Sequence, residues 1–166
     1  MTSAEQPARN SVALASLRIA VGCLFLVLGE YKVLGREFAF GGGFEFWINR
    51  FLSDHGAYPF MVPVLRDFVL PHARPIAILV AGGEVALGLS LTLGLWSRVA
   101  SVCGLIYMLT LLFSANYPGP AAPLWQYFGG SLEHLVLALC FGAFALGQPA
   151  AVLSVPAYLR GRRLAA

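Results

Sequence analysis

The chain has 166 residues, 58% of them apolar and 11% charged, with a mean hydropathy of +0.75 and a formal net charge of +3. Soluble domains carry about 45 to 50% apolar and about 25% charged residues, so the composition excludes an ordinary soluble domain and points to a membrane protein. The positive charge gathers in Arg160, Arg162 and Arg163 at the C-terminus with no base-stacking or groove-reading element beside it, which argues against nucleic-acid binding.

Residues 1–11 are polar and read as a loose tail. The apolar run from Val12 to Leu34 is the first predicted span, and no small-residue cleavage site follows it, so it does not read as a removable signal. Every third and fourth residue along it gives Ala15, Arg18, Gly22, Phe25, Gly29 and Lys32. That face belongs inward, because the glycines admit a neighbouring helix and the cations are costly toward lipid.

Gly35 to Pro75 is a long connection in which Gly41, Gly42 and Gly43, and later Asp54, Gly56 and Pro59, break the chain. The piece around Phe44, Trp47 and Phe51 and the piece Phe60–Leu70 are too short or too polar to span, and both are expected as amphipathic segments at the membrane surface or over the bundle mouth. The second span is predicted over Ile76–Trp96 and the third from Val99 to about Asn116, with only Ser97 and Arg98 between them. A rigid loop around Pro118, Pro120 and Pro123 leads to a fourth span that begins near Leu124 or Ser131 and stops at Gly147. Val152–Leu159 is expected as a short surface turn before the arginine tail.

The predicted fold is therefore an all-α membrane four-helix bundle with a long first extracytoplasmic connection that contains short interfacial helices. It divides into a polar tail (1–11), a four-span membrane domain (12–149) and a basic cytoplasmic tail (150–166). Arg9, Arg98 and the terminal arginines share a side, and the Lys/Arg rule weighs short flanks most, so both termini are expected in the cytoplasm.

Glu84 lies well inside the second span on a stripe with Ala77, Ala81, Gly88, Leu91, Leu95 and Arg98. A carboxylate there costs several kcal/mol unless a partner faces it. Counting about 1.5 Å per residue in a core of about 30 Å leaves roughly 9 Å of height between Arg18 and Glu84, while Lys32 lies near the outer edge and is the rival partner. Glu133 and His134 head the last span, where they serve either as interfacial groups or as a proton relay. Trp47, Trp96, Trp125, Tyr31, Tyr117 and Tyr127 suit a membrane-boundary belt, and Trp125 with Tyr127 is also a candidate stacking platform for a quinone ring. Cys23, Cys103 and Cys140 lie singly in three apolar stretches, without a metal-ligand spacing or a dithiol pair, and read as buried inert thiols.

Leu17-Arg18 through Gly29, Tyr31-Lys32-Val33-Leu34-Gly35, and Gly83-Glu84 with Gly88, Leu89, Gly94, Leu95, Arg98 and Ala100 resemble the DoxX family of small membrane proteins, with a weaker likeness from Glu133 to Gly147. The resemblance implies a four-helix bundle in a bacterial-type cytoplasmic (inner) membrane. It also implies a link to quinone-dependent oxidation, since DoxD-type relatives are subunits of thiosulfate:quinone oxidoreductase, other members are accessory components of redox complexes, and relatives of similar hydropathy act as assembly chaperones. Arg18, Lys32, Glu84 and Arg98 match the family's polar pattern.

Three functions follow. In the first, the chain is an accessory subunit of a quinone-linked redox system: Glu84, Arg18 and Lys32 carry the chemistry, Trp125, Tyr127, Glu133 and His134 line the quinone site, and a partner protein delivers the electrons, since no haem, flavin or metal signature is present. In the second, the chain is a non-enzymatic scaffold or assembly factor whose charges lock its helices together. A lipid-modifying enzyme using Glu84 and Glu133 as acid and base is a third.

Overall fold

The computed structural model describes residues 5–53 and 56–164, and among them every regular element is helical. In chain order these are α1 (Glu5–Leu34), α2 (Arg36–Phe40), α3 (Gly43–Leu52), α4 (Met61–Leu93), α5 (Ser97–Ser114), α6 (Leu124–Gly129), α7 (Leu132–Leu146) and α8 (Val155–Leu164). Three of them are long and apolar enough to cross a membrane, over Arg9–Leu34, Met61–Leu93 and Ser97–Ser114. The fourth apolar helix, α7, rises only about 22 Å over its 15 residues.

The packing follows small residues. α1 lies chiefly against α4, and α5 chiefly against α7. The predicted inward face of α1 is the buried one: Ala15, Arg18, Gly22, Phe25 and Gly29 are buried and Lys32 is half-buried. A Cβ at Gly22 would stand 2.8 Å from the Thr92 backbone nitrogen, and one at Gly29 2.8 Å from that of Val85, so only glycine permits the approach. In the second pair, the Phe141 ring occupies the place a Cβ on Gly104 would take.

Several boundaries differ from those the sequence predicts. α1 begins at Glu5, so the described part of the polar tail is helical, while Met1 to Ala4 lie outside the described residues. Phe60–Leu70 is not a separate surface segment, because from Met61 it runs on into the second span. Pro71 removes one donor and presses on the carbonyl four residues back. The helix absorbs this with a wide turn at Val64–Val69 and a tight one at Leu70–His72, and His72 Nδ1 donates to the Phe68 carbonyl (2.8 Å). α4 rises about 50 Å over its 33 residues, so the part with exposed Arg66 and Asp67 extends past a hydrocarbon core of about 30 Å.

The turn between α4 and α5 is Gly94 to Trp96, earlier than predicted, because Gly94 closes the helix in the left-handed region (φ 73°) and Trp96 follows at φ 46°. Ser97 and Arg98 thus belong to the first turn of α5. The arginine tail is helical from Val155, where the Ser154 Oγ caps α8 by accepting from the Ala157 N–H (3.1 Å). Cys23 and Cys103 are exposed on outward helix faces and Cys140 is half-buried, which revises the expectation of buried thiols.

Two apolar cores result. One gathers Phe25, Leu91, Met108, Phe141 and Phe144, with Phe25 edge-on to Phe141 at 5.3 Å. The other gathers Phe44, Ile48, Met61, Leu65 and Ala77 under α2 and α3. Glu84 follows Ala77 and precedes Leu91 on the buried stripe of α4, and so stands between the two cores.

Candidate functional site

Glu84 is buried, with 3% of its side chain exposed, and α1, α4 and α5 converge on it. Lys32 Nζ pairs with Glu84 Oε1 at 2.5 Å, and the Tyr107 hydroxyl donates to the same oxygen at 2.7 Å. Lys32 keeps 20% of its side chain exposed and stands 5.1 Å from the centre of the Phe38 ring, which joins α2 to the cluster. Among the described residues, no group donates to Glu84 Oε2.

Arg18 belongs to a second, separate cluster. It is fully buried, and its whole guanidinium is spent on backbone carbonyls. Nε donates to Pro149 (3.0 Å), Nη2 to Leu153 (2.6 Å), and Nη1 to Leu91 and to Thr92 (3.4 Å). Leu91 and Thr92 lie in the last turn of α4, the negative end of that helix, so their carbonyls hold the cation without a carboxylate. A Cβ on Gly94 would stand 3.0 Å from Nη1 and 2.4 Å from the Ser154 Cβ, so this glycine is needed for the clamp to close. Leu91 is seven residues past Glu84, about 10 Å along α4, so the rivalry between Arg18 and Lys32 for Glu84 is decided for Lys32.

The residues expected to line a quinone site do not join the Glu84 cluster. Trp125 is 68% exposed. Tyr127 packs with Tyr58 and Tyr117, ring centres 6.3 Å from each, and donates to the Gly119 carbonyl (2.6 Å). Tyr58 fastens this aromatic group to α5, packing edge-on to Phe113 at 5.3 Å and donating its N–H to the Phe113 carbonyl. Glu133 is exposed at the head of α7, and His134 Nδ1 lies 3.3 Å from it without the alignment of a hydrogen bond. Among the described residues, neither is bonded to Glu84, and no group of three His, Cys, Asp or Glu side chains suits a metal.

Tyr107 was missed in the sequence, although a signal was present. Glu84 lies ten residues before Gly94 and Tyr107 eleven after Trp96, so a hairpin closed at that turn sets the two at one height.

The polar positions fall within one matched region. The sequence model of the DoxX family matches residues 13–117, which includes Arg18, Lys32, Glu84 and Tyr107. The chain belongs to the DoxX family. The DoxX match spans most of α1, the connection, α4 and α5, and it ends before α6 and α7. Neither the curated proteins nor the solved structures contain a match.

Proposed function

We propose that this DoxX protein is an accessory subunit of a quinone-linked redox system in a bacterial-type cytoplasmic membrane, with its ligand site at Glu84. The observation that supports it is Glu84 itself, a carboxylate held between two apolar cores with one oxygen fixed by Lys32 and Tyr107 and the other unpartnered. Keeping an ionisable group at that depth costs several kcal/mol, which favours a role beyond packing. A quinone-class ligand, when bound, supplies the electron-carrying chemistry. Glu84 Oε2 meets its polar head, Lys32 and Tyr107 hold the carboxylate in place, and the apolar side chains to either side exclude water.

In the same proposal α7 completes a four-span bundle with both termini in the cytoplasm. The Arg18 clamp supports that arrangement, because it brings the N-terminal half of α1, the end of α4 and the chain after α7 to one end. Arg98 and the arginines of α8 then face the cytoplasm, as the excess of cations on short flanks requires.

A scaffold or assembly role is the second reading, and Arg18 favours it. A buried cation satisfied wholly by backbone fastens helices and offers nothing to a ligand. The two are separated by purifying wild type and Glu84→Gln in a mild lipid environment and identifying extracted molecules by mass spectrometry. A redox subunit retains a quinone that the variant loses. A scaffold retains only bulk lipid in both.

A further inference from the structure

We infer that the Glu84 site selects the reduced, hydroxyl-bearing form of its ligand, a quinol, over the oxidised quinone, an inference that rests on the ligand site proposed above. The single O–H of Tyr107 and one N–H of Lys32 are both given to Oε1, and neither donor reaches Oε2. Oε2 is buried and, among the described residues, receives no hydrogen bond. An ion-paired carboxylate offers lone pairs only, so its free oxygen is satisfied by a donor and repelled by another acceptor. The two oxygens of a quinone accept only, whereas a quinol presents O–H groups.

The residue next to the carboxylate in sequence borders open space. Val80, Gly83 and Leu87 share one half-buried face of α4 at helical spacing. Val80 packs on the core under α2 and α3 and Leu87 on the other, but a Cβ built on Gly83 touches nothing within 4 Å. The face thus opens at the residue next to Glu84, between two apolar walls. A flat ring taken up on that face keeps its body in apolar surroundings, and its hydroxyl is the kind of donor that Oε2 lacks.

The test is equilibrium dialysis under argon of a short-chain benzoquinone and of its reduced quinol against the protein in lipid nanodiscs, with empty nanodiscs as the blank. Wild type is expected to retain the quinol about tenfold or more over the quinone. Glu84→Gln sets an amide nitrogen, a donor, where Oε2 stood while its oxygen keeps the contacts to Tyr107 and Lys32, so the preference reverses toward the quinone. Gly83→Leu fills the opening and is expected to lose both forms. Equal retention of the two forms by wild type, a preference for the quinone, or an unchanged preference in Glu84→Gln would overturn the selectivity while leaving a quinone-class site in place. Undiminished binding to Gly83→Leu would overturn the placement beside that residue. Binding of neither form by wild type would remove the quinone site itself, and the selectivity with it.

Discussion

Lys32 of α1 and Glu84 of α4 meet at 2.5 Å, one turn from the close contact of Gly29 with Val85. The pair therefore has two consequences, one for stability and one for the site. Removing one partner leaves the other charge buried and uncompensated, which costs about 3 kcal/mol or more in comparable pairs, while replacing both by apolar residues of similar volume is close to neutral. Lys32→Met should lower the denaturant midpoint strongly in micelles, and Lys32→Met with Glu84→Leu should restore part of it, the remainder being the Tyr107 hydroxyl left without its acceptor. A double variant as unstable as the single would mean that the cost lies in packing and not in charge.

Arg18 is expected to behave differently. Its fork satisfies carbonyls from α4 and from the segment after α7, and a lysine has neither the planarity nor the number of donors to replace it. Arg18→Lys and Arg18→Met should both loosen residues 149–154, with the larger effect in Met. Hydrogen exchange resolved by peptide would register this as faster exchange there and in α8, with little change at Tyr107.

Glycine positions separate close approach from open space. Gly29→Val forces α1 away from the backbone of α4 and should cost about 2 kcal/mol or more, with loss of the Lys32–Glu84 contact. Gly82 is exposed and a Cβ there meets nothing, so Gly82→Ala should be neutral or should stabilise by about 0.5 to 1 kcal/mol through helix propensity. Thermal unfolding of the two variants side by side checks the contrast.

Tyr58, in the loop before α4, is pushed above its ordinary value of 10.0 by burial first and then by Tyr127 and Tyr117. Since the folded value is the raised one, the neutral phenol contributes its full stabilisation below about pH 10 and loses it as the pH climbs through the folded value. Limited proteolysis around Tyr117 to Tyr127 should accelerate only at strongly alkaline pH, and Tyr58→Phe should flatten that dependence.

The inward face of α1 was legible because helical spacing sorts Arg18, Gly22, Gly29 and Lys32 onto one side whatever lies opposite. The buried stripe of α4 was legible for the same reason from Ala77 to Leu91, whereas Leu95 and Arg98, expected on it, are exposed in the turn and in α5. The choice between Arg18 and Lys32 for Glu84 was not, because it depends on where the hairpin closes, and the left-handed Gly94 sets that point earlier than the end of the apolar run. The partners of Arg18 are carbonyls, which every residue carries, so side-chain chemistry does not single them out. Three prolines and two charges hid the continuity of α4, since a π turn that accommodates Pro71 leaves no composition signature. Of the six aromatic residues expected at the membrane boundary, Trp47, Trp96, Trp125 and Tyr31 are exposed, while Tyr117 and Tyr127 pack against Tyr58.

Whether Glu84 is the group that meets the ligand is read most directly by difference infrared spectroscopy of the protein in lipid. Adding a quinone-class ligand to wild type should shift a carboxylate stretching band that is missing from Glu84→Gln. A ligand that is retained while that band stays unmoved would place the site elsewhere and contradict the account.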